Sequence, residues 1–380
     1  MTRWATLLTL LAFTGAQACT YCDPANLKLQ TFRQEARTSK FVIIGSLNNP
    51  RLVGDSGVTD IIVEQVVKND PALAKKKTIT LPRWTPVDPK KPPRMLLFVD
   101  VYEGKIDPFR GVMLRGTGMA DYLRGAIDLD DRNRTASLLY YFRHLDSTDP
   151  EVAADAFLEF AKASDAEIAA VGPKLDAKKL RAMLSDSKVP AERLGLFAFL
   201  LGACGTRSDI EFLNTILDKG DDRSTAALSG VLGGLIERQP EAGWKRAIAI
   251  LDAPKRQYQD KLAVLGTIRF FQACQPKEHR QAILLAASSV VAIGDMADMA
   301  IEDLRRWKWF DLTKQVLAQY GKPTHAAPLV KNAIVRYALS CPDPQAAAFV
   351  KSMRTTDAEL VREIEESLEL ERPATPKPKP

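Results

Sequence analysis

Two hydrophobic patterns divide the chain. Between Phe41 and Leu114, apolar and β-branched residues come in short runs: Phe41-Val42-Ile43-Ile44-Gly45-Ser46-Leu47, residues 58–67, Thr78-Ile79-Thr80-Leu81 and Met95-Leu96-Leu97-Phe98-Val99-Asp100-Val101. Asn48-Asn49-Pro50, Asp55-Ser56-Gly57, Asn69-Asp70-Pro71 and the proline-rich residues 86–93 separate them, with residue types that favour turns. Strands in series without intervening helices predict a small antiparallel barrel or sandwich rather than a doubly wound sheet. Residues 24–40 read as a helix packed across one side or end of it.

After Asp128 the pattern changes to Ala- and Leu-rich segments broken by Asp-Pro, Gly or Pro, as in paired helices. Aligning a small residue in the more apolar segments gives Ala156, Gly195, Ala227, Ala263, Ala300 and Ala333, separated by 39, 32, 36, 37 and 33 positions. Such a period predicts an α-solenoid of HEAT-like hairpins, with about six helical pairs; the alternative is an irregular bundle. Facing helices approach closely at a small residue, while Leu194, Leu196, Phe197 and Leu200 interdigitate with the neighbouring repeat. Residues 372–380, with Pro373, Pro376, Pro378 and Pro380 around Lys377 and Lys379, contribute nothing to a core and are expected to be disordered.

The start of the chain reads as an address. Basic Arg3 precedes an apolar stretch from Trp4 to Phe13, then Gly15-Ala16-Gln17-Ala18, whose small residues suit signal-peptidase cleavage before Cys19. A lipid anchor on Cys19 is less favoured, because Ala16 and Gln17 stand where lipoprotein signals carry an aliphatic and a small residue. The later apolar stretch from Ile283 to Ile293 is shorter than the roughly twenty residues of a membrane span and contains Ser288 and Ser289. The expected protein is exported to the periplasm, the cell envelope or beyond, with no transmembrane span after signal removal. The expected organisation is a signal peptide (1–18), a Cys-x-x-Cys segment and helix (19–40), a β-rich domain (41–128), a helical solenoid (129–371) and a tail (372–380). The 53 basic and 47 acidic residues nearly balance once Arg3, Lys377 and Lys379 at the ends are set aside, so nucleic acid is not implied as a partner.

The apolar strand that ends in Gly45, a second closing with Val67-Lys68 and the later Leu96-Leu97-Phe98 strand resemble the netrin-like, oligonucleotide-binding (OB-like) barrel of secreted proteins. More of the chain resembles a family of exported, uncharacterised planctomycete proteins that carry Cys-x-x-Cys after the signal peptide, a β-rich domain and helical repeats. The matching stretches are Cys19-Thr20-Tyr21-Cys22, Asp155-Ala156-Phe157-Leu158-Glu159-Phe160-Ala161, Leu201-Gly202-Ala203-Cys204-Gly205, Asp303-Leu304-Arg305-Arg306-Trp307-Lys308-Trp309 and Tyr337-Ala338-Leu339-Ser340-Cys341-Pro342. Thr20-Tyr21 and Lys308 depart from that pattern, where members more often have Pro-Phe and an acidic residue. The resemblance implies architecture and no reaction.

Candidate chemistry is sparse, with five cysteines and three histidines. Cys19 and Cys22 form a dithiol that suits a disulfide or half a metal site. No strand precedes it as in a thioredoxin site, Asp23 stands where covalent haem needs His, and no second Cys pair or nearby His completes a zinc site. A structural pair, bridged after export or capping a helix from Pro24, is the favoured reading; thiol redox or metal handling is the alternative. Cys19-Thr20 also resembles the start of tissue inhibitors of metalloproteinases, which implies chelation of a protease zinc by the terminal amine and carbonyl. The second cysteine here comes one residue later and the other barrel cysteines are missing.

Cys204, Cys274 and Cys341 fall in alternate repeats, too far apart to bond to one another, and read as free thiols. His144, His279 and His325 read as surface or capping residues. Asp128-Leu129-Asp130-Asp131-Arg132-Asn133 fails as a calcium loop, since Arg132 takes a ligand position and the glycine is missing, and reads as a linker with a helix cap. Residues 111–118 fail as a phosphate loop because Thr117 replaces the lysine. Arg305, Arg306, Trp307 and Trp309 are candidate partner contacts, since Trp and Arg dominate binding hot spots; the competing reading puts one Trp in the core and the other over a repeat junction. No catalytic set, cofactor or metal site can be assembled. The sequence points to a non-catalytic scaffold that binds a protein partner.

Overall fold

The computed structural model describes residues 19–22 and 28–371. The expected signal peptide, the start of the expected helix at Pro24 and the proline and lysine tail lie outside the described residues. The chain divides into two compact units, one ending at Arg193 and the other beginning at Leu194.

The first unit holds five strands, β1 (Phe41–Val53), β2 (Ser56–Lys68), β3 (Thr78–Leu81), β4 (Arg94–Tyr102) and β5 (Lys105–Leu114). They pair antiparallel in the order β3-β2-β1-β4-β5. This order leaves β3 and β5 as edges, so the strands form an open sheet; the expected barrel is met in its antiparallel, sequential strands and not in closure. β5 was hidden in the sequence by Asp107-Pro108. Pro108 sits opposite Val99, where the register slips beside Phe98, on the edge strand, where its missing N–H leaves no central ladder bond unmade.

Alternation sorts β1 and β4 onto two buried faces. Phe41, Ile43, Leu47, Met95, Leu97 and Val99 join Ile61, Leu73, Ile79 and Leu81 in one cluster. Val42, Ile44, Leu96 and Phe98 point the other way and are equally buried. That second face is where helices pack: the rings of Phe32 and Phe98 lie 6.0 Å apart. Gly45 is required at the β1–β2 contact, because a Cβ there would stand 2.3 Å from the carbonyl oxygen of Ile62.

Helices α1 (Phe32–Thr38), α2 (Met119–Ile127), α3 (Arg134–Phe142), α4 (Pro150–Ala161), α5 (Asp165–Val171) and α6 (Ala177–Ser185) complete this unit. Among the described residues, the helix expected over 24–40 is confined to α1, which starts where Thr31 caps it in a box with Gln34. Asn133 caps α3 by accepting from the Ala136 N–H, so the acidic linker does end in a helix cap. The unit boundary lies well past residue 128 because the first helices after the sheet pack onto it. The Arg124 guanidinium of α2, for example, donates to the Val66 carbonyl at 2.9 Å.

The second unit runs α7 (Leu194–Cys204), α8 (Arg207–Lys219), α9 (Asp222–Arg238), α10 (Pro240–Asp252), α11 (Tyr258–Cys274), α12 (Arg280–Val291), α13 (Ala297–Trp307), α14 (Thr313–Leu317), α15 (Pro328–Ser340), α16 (Pro344–Thr356) and α17 (Ala358–Leu370). First helices of successive hairpins pack together, α7 on α9 on α11 and α13 on α15 on α17, while α10, α12, α14 and α16 form a second layer. The ion pair of Arg269 with Asp303, at 2.6 Å, links α11 to α13. Gly195, Ala227, Ala263, Ala300 and Ala333 all fall on first helices, in α7, α9, α11, α13 and α15. The closest approach is between α7 and α9: a Cβ on Gly230 would meet the Gly195 oxygen at 1.6 Å, and one on Gly202 would meet the Gly234 Cα at 2.1 Å. No helix among the described residues is long and apolar enough to cross a membrane.

Candidate functional site

Cys19 and Cys22 sit on one turn, closed by a bond from the Cys22 N–H to the Cys19 carbonyl at 3.1 Å. Both side chains are buried, with the sulfurs 2.7 Å apart. The turn is anchored by Asp165 at the start of α5, whose carboxylate accepts from the Thr20 N–H at 2.7 Å and the Thr20 hydroxyl at 2.5 Å. Burial pushes the Cys19 thiol well above its usual range, and the adjoining Cys22 and Asp165 push the same way. A nucleophilic thiolate needs the opposite environment, exposed and electropositive. Among the described residues no group of three or more His, Cys, Asp or Glu side chains is placed to hold a metal ion.

A second polar cluster is enclosed nearby in the same unit. Asp155 of α4 accepts from the Phe32 N–H at 2.7 Å and from the Tyr122 hydroxyl at 2.6 Å. Burial raises its pKa to about 7 against the pull of those two bonds. Burial also raises Glu35, partly offset by Arg110 at 3.2 Å. Arg33 and Arg37 both reach Asp131, at 2.9 and 2.7 Å. Both oxygens of Asp155 are occupied by a helix start and a tyrosine, which ties α1 to α2 and α4.

The aromatic and basic run at residues 305–309 is mostly turned inward. Trp309 is buried under the Arg280 guanidinium, 4.4 Å from its ring centre, and meets the half-buried Trp307 edge-on at 5.6 Å. Arg305 is half-buried and paired with Glu302 at 2.7 Å and Glu371 at 3.0 Å. Arg306 and Lys308 alone are exposed, and Lys308 takes the left-handed conformation, φ 57°, that ends α13. As partner contacts Arg305 and Trp309 are therefore displaced: what covers them comes from Arg280 and Glu371, distant in sequence.

His279 and His325 are buried rather than on the surface, and both stand at the ends of α12, in keeping with the capping reading: His279 is its N-cap residue and His325 meets the carbonyl of its last residue. The His325 Nε2–H donates to the Val291 carbonyl at 2.9 Å. His144 packs against the rings of Tyr122 and Tyr140. The Trp244 indole N–H donates to His279 Nδ1 at 3.1 Å, which fixes the hydrogen on Nε2, where it donates to Gln275 at 2.9 Å. Gln275 in turn donates to Glu237 at 3.3 Å. Burial holds His279 below its ordinary pKa, and hence neutral, against the opposing pull of Glu278.

This Trp244–His279 pair forms the floor of a groove of about 930 Å³ between α10 and α12. Pro240, Ile248, Ala282, Leu284, Leu285 and Leu312 supply its apolar walls, and Leu285 is 59% exposed. Glu241, Lys245 and Glu278 stand on its rim, each exposed and outside any ion pair among the described residues. Glu241 follows Pro240 at the start of α10 and Glu278 precedes Arg280 at the start of α12, so both carboxylates mark the same end of the groove. A smaller groove of about 360 Å³ lies beside it, lined by Asn214 of α8 and Arg246 and Ala249 of α10. The signals in the sequence were Pro240 four residues before Trp244 and the adjacent Leu284-Leu285. Neither signal says which apolar side chains are left uncovered.

Comparison with family models, curated proteins and solved structures finds no match.

Proposed function

We propose that the chain is an exported, non-catalytic scaffold that binds a protein partner in the groove between α10 and α12. The observation that carries this reading is the groove itself: apolar walls, a buried Trp244 and His279 floor, and unpaired charges at its edge. Uncovered apolar area bounded by polar groups suits recognition of an apolar segment. The two carboxylates at one end suit a partner whose apolar segment is followed by a basic residue. The hairpins are read as HEAT-like because their first helices carry the recurring small residue, and the sheet as an opened relative of the netrin-like fold. The buried dithiol is read as a structural element that holds the start of the chain on Asp165, rather than as redox or metal chemistry.

The test is selection of peptides from a random display library on the full-length protein. Enriched peptides are expected to pair large apolar residues with a terminal Lys or Arg and to lose binding to Leu285→Arg. Peptides that bind this variant as well as the wild type would sink the reading. Cys22→Ser is expected to leave peptide binding intact; loss of a thiol-dependent activity in that variant would instead favour redox function.

A further inference from the structure

Arg193 is half-buried at the end of the turn 191–193, and its guanidinium makes no ion pair and no hydrogen bond among the described residues. Arg33, Arg51, Arg94, Arg134, Arg305 and Arg336, also buried or half-buried, each meet at least one carboxylate. Arg193 instead lies over the Phe157 ring of α4, 5.2 Å from the ring centre. That contact takes up one face of the guanidinium and leaves its N–H edge open. Burial pulls the Arg193 pKa down, and the adjoining Glu192 only partly offsets this. A cation held partly out of water without a paired anion is costly. Such a group in a cleft marks a binding site when a ligand supplies the missing charge.

The cleft is there. Arg193 borders a space of about 700 Å³ inside the first unit, between α6 and the turn 145–150 that leads into α4. Pro150, Ala182, Val189 and Pro190, all exposed or half-buried, give it apolar walls, over the buried Leu145 and Met183. Its charged lining is Lys178, Lys179, Lys188 and Arg193 against Asp146, Asp176 and Asp186. The carboxylates are engaged locally. Asp146 pairs with Lys179, and Asp176 and Asp186 accept from the backbone N–H groups of Lys178 and Lys188 at 2.9 and 2.8 Å. None of these three acts on Arg193; the carboxylate that does is Glu192. Apolar walls with few polar groups, at this volume, suit a small molecule rather than a protein surface. A guanidinium edge matches a planar carboxylate, two N–H groups to two oxygens.

We propose that this cleft binds a small organic monocarboxylate, its two oxygens on the Arg193 guanidinium and its apolar body along Pro150, Ala182 and Val189. The site is separate from the groove between α10 and α12 and stands or falls without it.

Titration calorimetry of the full-length protein with octanoate and 4-phenylbutanoate tests the proposal. Both acids are expected to bind, with octanol and octylamine at least about tenfold weaker, because only a carboxylate completes the charge-assisted pair. Failure of both acids to bind, or equal binding of octanol, would overturn it. Octyl phosphate binding more tightly than octanoate would overturn the carboxylate assignment and make this a phosphate site. Arg193→Gln is expected to cut octanoate affinity at least about tenfold. Its Tm without ligand should stay within about 3 °C of wild type, since no carboxylate loses a partner. Unchanged octanoate affinity in this variant would assign Arg193 to packing on Phe157 and sink the proposal. Ala182→Glu, at an exposed position of α6, keeps the test open if Arg193→Gln does not fold. It should weaken octanoate and strengthen octylamine, and no change in either would count against the cleft. Leu285→Arg should bind octanoate as the wild type does; loss of binding there would place octanoate in the other groove and overturn the assignment.

Discussion

The two units hold themselves together over different distances along the chain. In the first, polar bonds join residues far apart in sequence: Phe32 to Asp155, Thr20 to Asp165, Arg33 to Asp131. In the second, they recur at nearly one repeat: Trp244 to His279 across 35 positions, Arg269 to Asp303 and Arg336 to Glu302 across 34, Gln275 to Glu237 across 38. A repeat that bonds mainly to its neighbours can leave a groove between adjacent helices without losing its fold. A unit closed by long-range bonds encloses its charges: both oxygens of Asp155 and of Asp165 accept bonds, while Glu35 and Asp149 each keep one buried oxygen without a hydrogen-bond partner.

Four substitutions would break or sharpen this contrast. The largest effect is expected from Gly230→Ala, whose new methyl group would meet the Gly195 oxygen at 1.6 Å, a backbone atom that cannot step aside. Separation of α7 from α9 should cost about 3 kcal/mol or more in denaturant unfolding; a loss under about 1 kcal/mol would mean that the helix pair is not rigidly packed.

Asp155→Asn probes the closed unit. Its folded-state pKa of about 7 lies above the ordinary 3.8, so between these values the folded chain keeps a proton that the unfolded chain has released. This contribution to stability is therefore present at low pH and is lost as pH rises through that window. Asn keeps an acceptor for the Phe32 N–H and carries no charge. The variant should flatten the pH dependence of Tm and be more stable above pH 7 by an amount on the order of 2 kcal/mol. A wild-type Tm that rises steadily from pH 4 to pH 7, equally in the variant, would contradict this account.

Thr20→Val removes the hydroxyl bond to Asp165 and should cost about 1 kcal/mol. It should also speed alkylation of Cys22, measured by mass spectrometry, because the anchored turn is what buries the thiols; unchanged alkylation would mean the turn is held elsewhere. The smallest effect is expected from Leu285→Arg. With 59% of the residue exposed, its stability should stay within about 0.5 kcal/mol of wild type while peptide binding is lost. A clear drop in Tm would show that Leu285 belongs to the core.

How much could be read in advance differs between the units. The β-branched runs located β2 to β4 and the first half of β1, whose second half runs through the expected break at Asn48-Asn49-Pro50, because alternation needs only neighbouring residues; the small residues fall on first helices, of which α7 and α9 approach most closely. β5 escaped because Asp107-Pro108 interrupts the pattern, and a proline tolerated on an edge strand looks like a break until its partner strand is known. The end of the first unit escaped because α2 and α4 are bound by α1 and β2, contacts with no local signature. The aromatic and basic run at 305–309 drew notice by composition, yet Arg280 lies over Trp309 and Glu371 pairs with Arg305. Trp244 and Leu285, unremarkable by composition, border the open groove.

Periodicity, capping residues and turn types are local quantities, and they set where most of the strands and helices run. Which aromatic is covered, which carboxylate is enclosed and which rim charge stays unpaired depend on residues more than twenty positions away, brought close only by packing. Exposure is a property of the whole packed surface. Cys19 and Cys22 illustrate the division: their spacing alone makes a dithiol, and Asp165 and the surrounding core make it a buried one.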